Sequence, residues 1–389
     1  MKLFSLLFAV PFALALPFLE TKGEVIPGKW IIVMKEGYDS SAASTKRSAS
    51  VESLVAPRHV FNMGKFNAYA ADASDDIMKK ISQLDDVAYI EPDVMVRATA
   101  TTSEASAPWG LARISNKDIN ATNYVYDESA GEGSTIYIID SGVYTEHPDF
   151  EGRATWGPSF VANDTNPMVD EFGHGTHVAG IAGSKTYGVA KKANIIAVKV
   201  LDANGSGPIS QVMAGLQWAL NDTISKNSTQ KSVVNFSLTT IYVGGNSTLS
   251  LAAGAAVEQG LFIAAAGGNS YSPAENFSPA QYPTVCTIGA SAEDNSRPSW
   301  SNYGDAVDLF APGVDVISTY TNGSTAYMSG TSMAAPHITG LGAYLLALEG
   351  ERDPVALCAR MQELAVKNII TDSMSTNNML AFNGATGTA

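Results

Sequence analysis

The chain has 389 residues, 45% hydrophobic and 16% charged, with 24 Lys and Arg against 38 Asp and Glu for a formal net charge of −14. That length and apolar content fit a large globular domain with a smaller companion and exclude a disordered chain. No block of Lys or Arg occurs anywhere, which excludes a nucleic-acid partner, because neutralising phosphates takes clustered cations.

The N-terminus comes first. Lys2 supplies a positive start, Leu3 to Phe12 an apolar stretch, and Ala13-Leu14-Ala15 a small-residue cleavage pattern, so residues 1–15 read as a secretion signal. Pro11 and Pro17 bracket a segment too short to span a membrane. The expectation is an exported, extracellular protein with no membrane partner. Asn-x-Ser/Thr triplets at Asn120, Asn163, Asn204, Asn221, Asn227, Asn246, Asn276 and Asn322 suit that compartment. Asn235 also begins such a triplet, but within an apolar strand.

Residues 16–98 read as a small α+β module of ferredoxin-like type. Lys29 to Lys35 and Phe66 to Ala73 have strand character, Ile77 to Leu84 has helical spacing, and Val87 to Ile90 closes as a strand. Ala98 to Ala107 is small, polar and aperiodic, and reads as an exposed linker open to proteolysis.

From 99 to 389 the pattern alternates. Strands are expected at Thr135 to Ile139, Asn194 to Leu201, Val233 to Leu238, Leu261 to Ala266 and Thr284 to Ala290. Helices are expected at His174 to Ala182, Ile209 to Leu220 and Leu249 to Gln259. Short apolar strands separated by helices imply an α/β fold: a mostly parallel twisted sheet with helices on both faces.

Three Gly-rich segments carry the chemistry. Asp140 ends Ile138-Ile139-Asp140-Ser141-Gly142, just past a buried strand, where open α/β sheets bind ligands; an Asx turn is the alternative. His174 opens a helix in Gly173-His174-Gly175-Thr176-His177. Its i, i+3 partner His177 raises zinc as an alternative, but the spacing lacks the i, i+4 pair with its glutamate. Ser332, in Ser329-Gly330-Thr331-Ser332-Met333-Ala334, starts an apolar helix, where free N–H groups favour a developing negative charge; a plain capping serine is the alternative. Pro336 is expected in that helix's first turn, where a missing N–H does no harm. Taken together, a hydroxyl, an imidazole and a carboxylate make a nucleophile, its base and the group that orients the base. Ser332 lies in Gly-Thr-Ser-Met-Ala and not Gly-x-Ser-x-Gly, so a lipase-type elbow does not apply.

The order Asp, His, Ser with these flanks resembles the subtilases and, within them, the fungal proteinase K group. The resemblance runs from Ala107-Pro-Trp-Gly-Leu-Ala-Arg to beyond Leu348 and includes Tyr187-Gly-Val-Ala-Lys-Lys and Val198-Lys-Val-Leu-Asp. It implies a monomeric, secreted serine endopeptidase acting on protein or peptide substrates through an acyl-enzyme on Ser332. It also implies that the preceding module is the enzyme's own inhibitory propeptide, removed by self-cleavage between Arg97 and Ser103. Asn269, after Ala264-Ala-Ala-Gly-Gly, is implied as the oxyanion donor beside Ser332, although the run is one glycine longer than the family's. Gly205-Ser206-Gly207 and Ser237-Leu238-Thr239 are implied to align the substrate as an added strand, with Thr239 and Thr240 standing where the family carries glycines. A calcium ion is implied on the Asp308 carboxylate and the carbonyls of Pro283 and Val285. Cys286 and Cys358, the chain's two cysteines, match a family disulfide.

Overall fold

A computed structural model describes residues 18, 25–35, 38, 50–63, 66–94, 101–241 and 247–385. The expected signal, residues 1–15, and Asn246 lie outside the described residues. The chain divides into two compact units, Met1–Ala98 and Thr99–Ala389.

In the first unit four strands, β1 (Val25–Met34), β2 (Pro57–Met63), β3 (Phe66–Asp72) and β4 (Val87–Val94), form one sheet in the order β2-β3-β1-β4, with antiparallel neighbours. The helices α1 (Val51–Leu54) and α2 (Asp75–Ile81) complete it. One core joins Ile32, Met34 and Tyr69 of the sheet to Val51, Met78 and Ile81 of the helices. β2 was not legible in the sequence: Pro57 and the polar Arg58, His59 and Asn62 mask an edge strand whose pairing with β3 supplies what its own pattern lacks.

The second unit opens with β5 (Thr101–Glu104), α3 (Trp109–Ser115) and β6 (Tyr124–Asp127). The expected aperiodic linker is thus corrected in its described part, because Thr101 to Glu104 pairs antiparallel with β6. β-Branched threonines suit a strand once a partner edge is available, and no single-strand pattern announces that edge.

A nine-stranded sheet follows, built from β7 (Thr135–Asp140), β8 (Ala154–Ser159), β9 (Asn194–Lys199), β10 (Ser232–Phe236), β12 (Phe262–Ala266), β14 (Cys286–Ser291), β15 (Leu309–Pro312), β18 (Val366–Lys367) and β19 (Met379–Leu380). Its order is β18-β19-β15-β14-β12-β10-β7-β9-β8. Every neighbouring pair is parallel except β18 with β19. Side chains alternate between two cores. Ile136, Ile138 and Val233 enter the core under α4 (His174–Gly183) and α7 (Thr331–Glu349). Tyr137, Ile139, Val234 and Phe236 enter the opposite core under α5 (Ile209–Ser225) and α6 (Thr248–Glu258). Each such side chain, fully withdrawn from water, contributes about 1.5–3 kcal/mol. Doubly covered strands explain why these segments read as continuous apolar runs.

α4 and α7 lie close together. A Cβ on Gly340 of α7 would stand 2.5 Å from the Ala182 carbonyl oxygen of α4, so glycine is required there. A disulfide joins Cys286 of β14 to Cys358 of α8 (Pro354–Leu364) across a separation of 72 residues.

Candidate active site

Asp140 is the last residue of β7 and is fully buried. Its Oδ1 accepts from His174 Nδ1 at 2.8 Å and from the Ser141 N–H at 2.7 Å, and its Oδ2 lies 3.0 Å from the same imidazole nitrogen. His174 is the first residue of α4. Two glycines let the groups meet. Gly173 caps the helix at φ 88°, a left-handed conformation that glycine adopts freely, and a Cβ on Gly175 would stand 1.9 Å from the Gly142 carbonyl oxygen. Burial by itself disfavours a proton on His174. The Asp140 charge and hydrogen bond, helped by Asp170, outweigh that and hold the imidazole above its ordinary 6.5.

Asp170 was not singled out from the sequence. It is buried, and its Oδ1 accepts from Ser141 Oγ and the Gly173 N–H, both at 2.8 Å. Its Oδ2 accepts from the Thr176 N–H at 2.8 Å and Thr176 Oγ1 at 2.6 Å. Ser141 Oγ accepts in turn from the Gly175 N–H at 3.0 Å. One carboxylate therefore satisfies two of the free backbone donors at the start of α4 and braces the residue beside Asp140. The available signal was an acidic residue four places before His174, at the mouth of a helix. His177 points elsewhere: its Nε2 meets the Ala326 carbonyl at 3.0 Å, and burial pulls its pKa down to about 4.

Ser332 is the second residue of α7. Its Oγ donates to the Ser237 carbonyl at 3.0 Å, and Ser237 Oγ donates to the Ser332 carbonyl at 2.8 Å. No hydrogen bond joins Ser332 to His174 among the described residues. Pro336 lies inside α7 and not in its first turn, which corrects the expectation from sequence. The carbonyl that its missing N–H would have served, four residues back, is that of Ser332, and the Ser237 hydroxyl fills the vacancy. Asn235, fully buried on β10, donates to Ser237 Oγ at 2.9 Å and accepts from Thr339 Oγ1 of α7 at 3.1 Å.

Asn269 follows β12. Its Oδ1 accepts from the Thr331 N–H at 2.9 Å and from Thr331 Oγ1 at 2.8 Å, which leaves the Nδ2 group free to turn towards Gly330. A Cβ on Gly330 would lie 3.4 Å from Asn269 Nδ2 and 3.6 Å from the Ser332 backbone nitrogen. Two donors thus flank a place that glycine keeps open beside the Ser332 N–H.

The turn holding Gly205, Ser206 and Gly207 is closed by Asp202, whose Oδ1 accepts from the Ser206 N–H at 3.1 Å. A Cβ on Gly205 would stand 2.5 Å from the Phe172 ring, and that ring's centroid is 6.3 Å from the His174 ring. Ser237 and Leu238 follow β10, and Thr240 opens β11 (Thr240–Ile241), which pairs with β13 (Phe277–Ser278). The segments that follow the adjacent strands β12, β10, β7 and β9 thus gather at the C-terminal edge of the sheet.

Asp308 precedes β15. Its Oδ2 accepts from the Thr287 N–H at 2.8 Å and its Oδ1 from Gln362 at 3.3 Å. Burial pushes the carboxyl up to about 6, and no cationic side chain pairs with it among the described residues. Pro283 and Val285 stand immediately before β14. An under-compensated buried carboxylate suits a hard, oxygen-seeking cation. The nearby sulfurs of Cys286 and Cys358 are bonded to each other, so they are not ligands.

Residues 131–388 match the Subtilase family, and residues 29–99 match Peptidase inhibitor I9. The chain belongs to the subtilase family. A subtilisin-like protease of Coccidioides posadasii is 44% identical over 93% of this chain and 92% of its own length. The cuticle-degrading protease of Metarhizium anisopliae is 42% identical over 99% of this chain and all of its own length. A cold-adapted subtilisin-like serine proteinase of known structure superposes with a TM-score of 0.67 at 40% identity, covering 72% of this chain and 100% of that one. This subtilase is a serine-type endopeptidase with an I9 propeptide, and its mixed α/β unit is subtilisin-like.

Proposed function

We propose that the protein is a secreted endopeptidase that cleaves proteins through an acyl-enzyme on Ser332. The observation that carries the reading is the pair of donors, Asn269 Nδ2 and the Ser332 N–H, facing one open place beside Gly330, with His174 on the neighbouring helix paired to Asp140 at the end of β7.

When substrate enters, Ser332 Oγ turns from the Ser237 carbonyl to His174 Nε2 and gives up its proton as it bonds to the scissile carbon. The carbonyl π pair moves onto oxygen, where Asn269 and the Ser332 N–H donate to it. Asp140, bonded to Nδ1, fixes the tautomer that leaves Nε2 as acceptor and stabilises the imidazolium. Collapse breaks the C–N bond, and the departing amine takes the His174 proton. Water then repeats the sequence on the ester and frees the acid. Gly205 to Gly207 and Ser237 to Thr239 align the peptide as an added strand. Support for the first segment is its contact with Phe172, which adjoins His174.

In this reading residues 1–15 direct export, residues 16–98 inhibit until self-cleavage, residues 99–389 act as a monomer, and Asp308, Pro283 and Val285 hold a structural calcium ion. The full precursor and its S332A variant test it. The wild type should lose the N-terminal module and digest casein, while S332A is secreted uncut and inert. Equal trimming of both, with neither digesting casein, would refute it and favour a binding protein.

A further inference from the structure

We infer that Asn302 is the positioning residue that sets the oxyanion donor. The inference rests on the role proposed for Asn269. Asn302 is fully buried in the loop between β14 and β15. Its Nδ2 donates to the Gly267 carbonyl at 2.8 Å, and its Oδ1 accepts from the N–H groups of Ser270 at 3.0 Å and Ser272 at 3.1 Å. Its own N–H donates to the Gly268 carbonyl at 2.9 Å. One residue therefore grips the chain on both sides of Asn269.

The grip requires the second glycine. Gly268 sits at φ +103°, and a Cβ there would stand 2.3 Å from Asn302 Nδ2. Gly268 thus lets the loop lie directly on the Asn302 carboxamide. The anchor is itself held. Ser301 Oγ accepts from the Ala290 N–H of β14 at 3.1 Å, and Arg297 Nη1 donates to the Ser301 carbonyl at 2.7 Å. Thr331 then fixes the Asn269 side chain, so Asn302 sets where the backbone stands and Thr331 how the amide points. A hydrogen-bond donor serves a developing oxyanion only over a few tenths of an ångström, so a looser loop weakens transition-state binding before it weakens folding.

The test uses enzyme matured from the full precursor, with active sites counted by a fluorophosphonate. The variants N269A, N302A and N269A/N302A are compared for kcat and KM on a peptide anilide and for Ki of a peptide aldehyde, whose adduct places an oxyanion in the site. N302A should lower kcat roughly 10–100-fold with KM within about threefold, and weaken the aldehyde in parallel. On the N269A background the same change should cost less than about threefold, because the donor it positions is gone. If N302A does not accumulate, N302S is read by the same ratios. An unchanged kcat in N269A would overturn the oxyanion reading and this inference with it. A normal loss in N269A with an unchanged kcat in N302A, or a double variant showing the product of the single losses, would overturn the role of Asn302 alone.

Discussion

Replacing Asp308 by asparagine separates two effects that act in opposite directions on stability. Burial holds this carboxyl at about 6 in the folded protein, against an ordinary 3.8. Between those values the folded state binds more protons than the unfolded chain, so in the absence of a cation stability falls as pH rises from about 4 to about 6 and stays lowered above that. The full penalty is about 3 kcal/mol at pH 8. For a domain of this size that corresponds to roughly 5 °C in melting temperature. D308N carries no charge and escapes the penalty, so at pH 8 with chelator it should melt roughly 5 °C above the wild type and at pH 4 level with it. On the proposed calcium site, added calcium should reverse the order. At about 1,000 times its dissociation constant the ion would stabilise the wild type by about 4 kcal/mol and leave D308N unmoved. Calorimetry at one scan rate, on enzyme inhibited against autolysis, measures both differences. D308N melting below the wild type in chelator at pH 8, or gaining as much from calcium, would refute the reasoning.

Because the Asp140 charge holds His174 above 6.5, and only the neutral imidazole accepts the Ser332 proton, kcat/KM on an uncharged peptide should rise with pH through a midpoint above 6.5. A midpoint at or below that value contradicts the pairing. G330A should put a methyl group where the oxyanion belongs and lower kcat about 100-fold or more. Its φ of 161° is extended backbone that alanine adopts, so the melting temperature should barely move; a large fall would show a folding role instead. Removing the disulfide as C286A/C358A releases a loop of 72 residues, worth about 4 kcal/mol in the chain-entropy account. That loss should lower the melting temperature by roughly 7 °C, and an unchanged value would assign the bridge no stabilising part.

Much of the site was legible because its residues sit at places local pattern reveals. Asp140 ends an apolar run, and His174 and Ser332 open helices flagged by glycines, so strand and helix termini announced them. The parallel sheet was legible for the same reason: strands covered on both faces are apolar at every position. Asp170 and Asn302 were not. Asp170 works through hydrogen bonds that exist only once Ser141 and the first turn of α4 are side by side. Asn302 grips a loop more than thirty positions away in the chain.

The sequence by itself determined the alternation of strands and helices, the three side chains proposed to react and the two cysteines, because these follow from periodicity and residue chemistry within a short window. Tertiary structure alone decided which termini share one edge of the sheet, that Thr101 to Glu104 finds a partner in β6, and that Ser237 completes the carbonyl left open by Pro336. The physical reason is common to all three. A hydrogen bond between distant segments is set by where packing brings the backbone, and a buried polar group takes whatever partner the fold supplies.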